Sequence, residues 1–146
     1  MQQHIKLLFI EDDDLLRSLF GEAFTIDNEF SYQLIAATDL KTGMEKVSSE
    51  NPELIILDLV LPYNKLAAQS KDDYSATMGI SLLKDIKANS VHKHIPIIIF
   101  SNLNDLKIKK QTLDAGAEEY LVKSETTPEQ FLLTIKAVLK KYVKSE

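Results

Sequence analysis

The chain has 146 residues, of which 45% are hydrophobic and 27% charged, a composition typical of one globular domain and unlike that of disordered or membrane proteins. Its net charge of -5 disfavours nucleic-acid binding, and its lack of cysteine excludes disulfides and thiolate metal sites. Because no signal peptide precedes the first predicted strand and no apolar run could span a bilayer, we expect a cytoplasmic protein without membrane or nucleic-acid partners.

Hydrophobic periodicity predicts five strands that alternate with five helices along the chain. The strands are short apolar runs, predicted at residues 7–10, 32–36, 54–57, 96–100 and 120–122. The helices are predicted to begin at Asp13 or Asp14, at Thr38 or Asp39, and near Gly79, Leu103 and Thr127. Each connection can hold a helix, so the strands should form a five-stranded parallel sheet with right-handed crossovers. This predicts a doubly wound, flavodoxin-like α/β domain with the strand order 2-1-3-4-5.

The first and last helices have the clearest patterns of apolar residues. In the first helix, helical spacing places six apolar residues on one face: Leu15, Leu16, Leu19, Phe20, Ala23 and Phe24. The last helix should start with a capping box of Thr127 and Gln130, with Pro128 in its first turn. Its predicted buried residues are Phe131, Leu132, Ile135, Val138, Leu139 and Tyr142.

The segment at about 63–78 is the least regular part of the sequence. It contains small, polar and charged residues without a sustained period. Loops this long inside compact domains are usually functional or disordered. We interpret the segment as an insertion between the third strand and the third helix. Because it offers few apolar anchors, we expect it not to hold the fold together.

Acidic residues follow the two strands that should lie at the centre of the sheet. Asp58 ends the apolar run Leu54–Leu57, and Glu11 and Asp12 end the run at 7–10. On its own, Asp58 would be interpreted as a helix cap or a solubilising loop residue. In the order 2-1-3-4-5, however, the switch point lies between the first and third strands, where ligand crevices form. All three carboxylates should therefore meet in one crevice.

This set of side chains suits phosphoryl transfer. Three adjacent carboxylates repel one another, and Mg²⁺, which prefers oxygen ligands, would relieve the repulsion. We expect Asp12 and Asp58 to bind the ion directly and Glu11 to bind it through water. Ser101 and Lys123 end the fourth and fifth strands beside the crevice. They would supply a hydrogen-bond donor and a positive charge to a phosphoryl group.

With these residues in place, the chain resembles the receiver domains of two-component response regulators along nearly its full length. The resemblance rests on four motifs in the family's order: FIEDD after the first strand, LDLVLP around Asp58, IIIFSN at Ser101 and YLVKS at Lys123. It implies that Asp58 accepts a phosphoryl group from a phosphohistidine and that Lys123 pairs with the phosphate. It also implies that Glu11 and Asp12 are the acidic metal pair.

The resemblance implies roles for three further residues. Ser101 and Tyr120 would move together on phosphorylation, and the main-chain carbonyl of Val60 would also ligate Mg²⁺.

The chain departs from the family in two places. The family usually has a cis proline after the lysine, where this chain has Ser124. A cis bond to another residue costs about 3 kcal/mol, so we expect a trans bond here. The second departure is the insertion at 63–78, which is roughly a dozen residues longer than the usual connection.

We therefore expect a stand-alone receiver, a signalling switch that catalyses its own phosphorylation and dephosphorylation. Its partners would be a sensor histidine kinase or phosphotransfer protein and an unknown downstream protein, bound through the fourth helix, fifth strand and fifth helix. The alternative is a phosphorylation-independent interaction module of the same fold, because fold alone does not determine function. A Mg²⁺-dependent phosphohydrolase is disfavoured, because Val60 stands where a second catalytic Asp would be needed.

Overall fold

The computed structural model describes residues 2–66 and 76–142, and in these ranges five strands alternate with five α-helices. The strands are β1 (Gln3–Ile10), β2 (Phe30–Ala37), β3 (Leu54–Leu57), β4 (Ile97–Ser101) and β5 (Glu119–Val122). The helices are α1 (Asp14–Gly21), α2 (Leu40–Glu50), α3 (Ala76–Ala88), α4 (Leu106–Asp114) and α5 (Pro128–Tyr142). Short 3-10 helices at Glu22–Ile26 and Lys123–Glu125 follow α1 and β5. None of the helices in these ranges has the length and hydropathy needed to cross a bilayer.

The described strands form one parallel sheet in the order β2-β1-β3-β4-β5, which confirms the predicted doubly wound arrangement. β1 and β3 are neighbours, with Leu7 opposite Leu54 and Ile10 opposite Leu57. These strands consist of apolar runs because helices cover both faces of a parallel sheet. The strand order therefore brings the carboxyl ends of β1 and β3 together at one edge of the sheet.

Two hydrophobic clusters fill the space between the sheet and its helices. Successive residues of a strand point to opposite faces. Phe9 therefore packs with α1 and α5 on one face, where its ring centroid lies 5.7 Å from that of Phe131. Leu8 and Ile10 pack with α2 and α3 on the other face. The alternation anchors β1 on both faces and fixes the direction in which its last residue leaves the sheet.

The six apolar residues that the sequence places on one face of the first helix are not all buried. Phe20 packs in the core, and Ala23 and Phe24 follow it from the 3-10 helix. Leu15, however, is 81% exposed and Leu19 is 52% exposed. The six apolar positions span more of the helix surface than the sheet and α5 can cover, so these two leucines, one turn apart, face outward.

The last helix begins as predicted and ends differently. The Thr127 N–H donates to Gln130 Oε1 at 2.9 Å, and the Gln130 N–H donates to Thr127 Oγ1 at 3.1 Å, which confirms the capping box. Tyr142, predicted to be buried, is exposed, and its hydroxyl donates to the carboxylate of Glu118. Its phenol ring therefore lies on the surface, where its hydroxyl can keep a polar partner.

Two helices begin at positions other than those predicted. α3 starts at Ala76, before Gly79, so the last residues of the predicted insertion belong to this helix. Gly79 itself lies against the backbone of β3's exit loop, since a Cβ there would come within 2.4 Å of the Leu59 carbonyl oxygen. α4 starts later than predicted, at Leu106, because the Asp105 carboxylate caps it there.

The first residues of the insertion dock on the N-terminus of α2. Residues 63–66 and 76–78 lie in the described ranges, and the rest of the predicted insertion lies outside them. Three hydrogen bonds hold the docked end: Leu40 N–H to the Pro62 carbonyl at 3.1 Å, Lys41 N–H to the Tyr63 carbonyl at 2.8 Å, and Lys65 N–H to Asp39 Oδ2 at 2.9 Å. Each of these bonds uses a main-chain N–H, and one of them donates to the Asp39 carboxylate.

Candidate functional site

Three carboxylates meet where β1 and β3 end side by side. Glu11 and Asp58 are buried, Asp12 is half-buried, and one oxygen of each lies within 4.8 Å of the others. The hydrogen-bond ladder of the sheet continues into both buried residues. The Glu11 N–H donates to the Ala37 carbonyl at 2.9 Å, and the Asp58 N–H donates to the Ile10 carbonyl at 3.1 Å. The backbone therefore fixes where these two side chains start.

Lys123 enters the acidic cluster from the end of β5. Its Nζ lies 2.5 Å from Glu11 Oε1 and 2.7 Å from Asp58 Oδ2, and its side chain is 11% exposed. Main-chain donors hold the other two oxygens. The Val60 N–H donates to Asp58 Oδ1 at 3.1 Å, and the Asp13 N–H donates to Glu11 Oε2 at 3.0 Å. Each buried carboxylate is thus oriented by one amide and one ammonium group.

The electrostatics of the cluster leave an excess of negative charge. Burial raises the pKa of the Asp58 carboxyl above its ordinary value, and the Lys123 ammonium opposes this without cancelling it. Burial likewise raises the pKa of the Glu11 carboxyl, and the nearby charge of Asp58 adds to the effect. Burial acts to lower the pKa of Lys123, but Asp58 and Glu11 outweigh it and raise that pKa. One ammonium group therefore does not balance the three carboxylates.

The donor set fits a hard divalent cation such as Mg²⁺. All three groups offer carboxylate oxygens, which are the ligands that this ion prefers, and the excess negative charge favours its entry. Glu11, Asp12 and Asp58 would hold the ion. Val60 is half-buried in the loop after β3, and its carbonyl remains a predicted ligand.

The predicted switch residues are joined through a shared neighbour. Ser101 is fully buried at the end of β4, and Tyr120 is half-buried in β5. The Leu103 N–H donates to Ser101 Oγ at 3.3 Å, and the Leu103 carbonyl accepts from the Tyr120 hydroxyl at 2.7 Å. Burial raises the pKa of Tyr120, so its hydroxyl keeps the proton that it donates. A movement of Ser101 would therefore disturb Tyr120 through one residue, whose part sequence reasoning had missed.

Sequence reasoning also missed a hydrogen bond between two loops of the site. The Ser124 N–H donates to Asn102 Oδ1 at 3.2 Å and so connects the loop after Ser101 with the loop after Lys123. The sequence held one signal for it, because a serine in place of proline leaves a free main-chain donor at this position. No cis peptide bond occurs in the described ranges, so the bond between Lys123 and Ser124 is trans, as expected.

The sequence of this chain is similar to those of known proteins. The family model of the response regulator receiver domain matches residues 7–136. The transcriptional regulatory protein KdpE of Staphylococcus aureus is 32% identical over 118 residues, covering 81% of this chain and 43% of that protein. The phosphate regulon transcriptional regulatory protein PhoB of Escherichia coli is 24% identical over 136 residues, covering 93% and 52%. The chain thus spans about half the length of these curated relatives.

Solved structures agree in fold. A CheY-like response regulator receiver domain protein from Methanospirillum hungatei has a TM-score of 0.72 and 22% identity, with 99% of this chain and 98% of that chain covered. The Mn²⁺-bound form of the response regulator Rcp1 has a TM-score of 0.72 and 21% identity, with 97% of each chain covered. Since the family match extends over most of the same sheet and helices, the chain belongs to the response regulator receiver domains, the signalling modules of two-component systems.

Proposed function

We propose that this chain is a phosphorylation-controlled switch in which Asp58 accepts a phosphoryl group from a phosphohistidine of a histidine kinase or phosphotransfer protein. A carboxylate oxygen of Asp58 forms the new P–O bond while the P–N bond breaks, and the departing imidazole nitrogen takes up a proton. The chain itself catalyses this step and the later hydrolysis, with Mg²⁺. It then signals through contact with another protein, on the face formed by α4, β5 and α5.

One observation carries most of the support. The Lys123 ammonium lies 2.7 Å from Asp58 Oδ2 inside a cluster that also holds Glu11 and Asp12. A structural ion pair needs one carboxylate, and two more add repulsion without stabilising the fold. The same set suits a metal and a phosphoryl group, because Mg²⁺ would neutralise charge while Lys123 and the Ser101 hydroxyl bind phosphoryl oxygens. A protein of similar fold, Rcp1, is known in a Mn²⁺-bound form.

Intact mass after incubation with acetyl phosphate and Mg²⁺ tests the proposal. Wild type should gain one phosphoryl group, and Asp58→Asn should gain none. Asp114→Asn is the matched control, because Asp114 is an exposed carboxylate on α4, and it should be labelled like wild type. Labelling of Asp58→Asn, or of wild type in excess chelator, would contradict the proposal. An unlabelled wild type that still bound its protein partner would instead favour the phosphorylation-independent module.

We further propose that the phosphodonor protein docks on the outer face of α1. Its histidine must reach Asp58, so its surface must cover the rim where α1 begins. There Leu15 and Leu19 face outward, and a groove of about 650 Å³ between α1 and α5 continues this apolar surface past Ile26 and Leu133. The charged residues along the groove are Glu22, Asp27, Glu29, Glu129 and Lys136. Lys136 pairs with Asp27 and Glu29, and Lys140 also pairs with Glu29, so Glu22 and Glu129 supply the acidic character of the margin. A helical partner with an apolar stripe and basic borders would fit it.

Phosphoryl transfer from two kinds of donor tests the docking surface. Leu15→Ser should slow transfer from phosphorylated histidine kinases and leave transfer from acetyl phosphate unchanged, because the small donor needs no docking. Leu106→Ser is the matched control, since Leu106 on α4 is equally exposed at 81%. Equal slowing with both donors would show that Leu15 acts on the crevice itself, and unchanged transfer from the kinases would exclude α1 as the docking face.

A further inference from the structure

The two phosphate-binding groups of the proposed function stand at the ends of neighbouring strands. β4 and β5 pair in parallel with Ser101 opposite Val122, the residue before Lys123. The next residue in each loop crosses the gap between them, where Asn102 Oδ1 accepts the Ser124 N–H at 3.2 Å. This hydrogen bond therefore joins the residue after Ser101 to the residue after Lys123.

Other hydrogen bonds shape the turn after Lys123 from within. The Thr126 hydroxyl donates to the Val122 carbonyl at 2.7 Å, and the Thr126 N–H donates to the Lys123 carbonyl at 3.4 Å. These two bonds close the short 3-10 helix Lys123–Glu125 but do not reach the loop after β4. The Asn102 bond does reach it, so it fixes the turn relative to the strand end that carries Ser101.

We propose that Asn102 is a positioning residue for phosphoryl transfer. By accepting the Ser124 N–H, it sets the distance between the Ser101 hydroxyl and the Lys123 ammonium. Lysine reaches its target on a flexible four-carbon stem, so the place of its ammonium depends on where the main chain is held. Both groups must contact oxygens of one phosphoryl group, and a misplacement of about 1 Å can slow a reaction about 10²-fold. The inference rests on the proposed function of Asp58.

The partner of Asn102 is the main-chain N–H of Ser124, and not the serine side chain. Proline at position 124 would have no N–H and would leave Asn102 Oδ1 without this partner, whereas any other residue could donate. Asn102 and a residue other than proline at 124 therefore act as a unit. This predicts different results for two substitutions of the same residue, Ser124→Pro and Ser124→Ala.

The experiment compares Asn102→Ala, Ser124→Pro and their double variant with wild type, and uses Ser124→Ala as the matched control. The first readout is the affinity for beryllium fluoride, a tetrahedral phosphoryl analogue, at saturating Mg²⁺. The second is the second-order rate constant of phosphorylation by acetyl phosphate. The third is the Mg²⁺ affinity from calorimetry. Loss of one hydrogen bond should weaken the first two about two- to tenfold in both single variants.

Two results distinguish a positioning role of Asn102 from a general loss of structure at the site. The Mg²⁺ affinity should not fall, because the bond touches none of the carboxylates and Lys123 itself competes with the ion. The double variant should be no worse than the worse single variant, because both substitutions remove the same bond. Ser124→Ala should behave like wild type. Wild-type beryllium fluoride affinity in Asn102→Ala, additive losses, or a parallel loss of Mg²⁺ affinity would each overturn the inference. If Ser124→Pro does not fold, Asn102→Ala alone still tests the inference, because the Asn102 side chain is exposed.

The outcome also distinguishes this inference from the proposed function. A wild-type protein that is neither phosphorylated nor bound by beryllium fluoride would overturn both. A wild-type protein that responds to both reagents, with Asn102→Ala indistinguishable from it, would overturn the positioning role alone and leave Asp58 as the phosphoacceptor.

Discussion

The Lys123 side chain has two opposing effects in the acidic crevice. Its ammonium contacts Glu11 and Asp58 and so reduces the repulsion between them. The same contacts place a cation where the carboxylates would also attract Mg²⁺, so lysine and metal compete for negative charge. In the proposed phosphorylated state, the ammonium would pair with the phosphoryl oxygens instead. Lys123 should therefore weaken metal binding while it accelerates phosphoryl transfer.

Replacing the ammonium should separate these two effects. Lys123→Met should bind Mg²⁺ more tightly than wild type, because the cluster gains net negative charge. Its phosphorylation by acetyl phosphate should slow about 10²-fold or more, the usual cost of losing a donor to developing charge. Calorimetry and intact mass give the two quantities. Lys107→Met, which removes an exposed charge on α4, controls for the change in net charge. Loss of both Mg²⁺ binding and phosphorylation would point to a disrupted crevice instead.

The lifetime of the phosphorylated state should depend on two apolar residues. Hydrolysis needs a water in line with the breaking bond. The Val60 N–H donates to Asp58 and the Leu103 N–H donates to Ser101, so both residues lie beside the crevice. Neither can hold a water, and we expect phosphorylated protein freed of donor to decay over minutes to hours.

Polar side chains at these positions should speed the decay. Val60→Asn or Leu103→Glu should hydrolyse about tenfold faster if a held water lowers the barrier by about 1.4 kcal/mol. Intact mass followed over time measures the decay, and Val91→Asn in an exposed loop is the control. Wild-type decay within seconds, or no acceleration in either variant, would show that another group controls the attacking water.

Helix α4 buries fewer residues than α5. Thr112 is its buried residue, whereas α5 buries Phe131, Leu132, Ile135, Val138 and Leu139. The Lys109 ammonium of α4 lies 5.8 Å from the centre of the Tyr120 ring. Leu103 links Tyr120 to Ser101, because its carbonyl accepts from the Tyr120 hydroxyl and its N–H donates to Ser101 Oγ. A shift of Ser101 would thus reach a helix that few contacts hold in place.

Hydrogen exchange should detect this difference between helices. In the unphosphorylated protein, amides of α4 should exchange faster than those of α5. Phosphorylation should change exchange in α4 and leave α5 nearly unaltered, because Tyr120 and Lys109 couple the former to Ser101. Asp58→Asn treated with the same phosphodonor is the control and should show no change. Equal and constant protection of both helices would exclude α4 as the responding element.

The sequence predicted elements with a strong side-chain signature and missed contacts that main-chain groups make. Apolar runs predicted all five strands, and the capping box of Thr127 and Gln130 predicted the start of α5. In α1, hydrophobicity alone could not tell the buried Phe20 from the exposed Leu15, because exposure depends on what packs against the helix. The docking of Lys65 on Asp39 uses a backbone N–H, a group that nearly every residue carries.

At the scale of the whole molecule, strand order explains why the candidate site could be predicted. Glu11 and Asp58 are distant in sequence, but the order 2-1-3-4-5 makes their strands neighbours, so a correct topology brings them together. The links between Ser101, Tyr120, Asn102 and Ser124 follow from loop conformations that topology leaves open. Sequence reasoning therefore located the side chains of the candidate site, and the structure was needed to show how they are connected.

The burial of Asp58 at this edge of the sheet should reduce the stability of the domain when no metal is bound. Burial raises the pKa of Asp58, so its ionised form is less favourable in the folded than in the unfolded chain. This penalty is absent below the unfolded pKa of about 3.9, grows as the pH rises, and is complete above the folded pKa. At neutral pH the ionised Asp58 carboxylate should therefore destabilise the fold, and a bound cation should reverse the effect.

Thermal unfolding should reveal this balance. In excess chelator at neutral pH, Asp58→Asn should melt above wild type, because the neutral amide removes a buried charge without changing side-chain size. The difference should shrink as the pH falls through the folded pKa of Asp58, since the wild-type carboxyl then becomes neutral as well.

Bound Mg²⁺ should change the order of the two proteins. With Mg²⁺ at about 100 times its Kd, the unfolding free energy of wild type should increase by about 2.7 kcal/mol, and that of the variant, which lacks one ligand, should increase by less. Asp114→Asn should follow wild type in both conditions. If Asp58→Asn melted below wild type without metal, the ion pair with Lys123 would outweigh the burial of charge, and the crevice would be a source of stability.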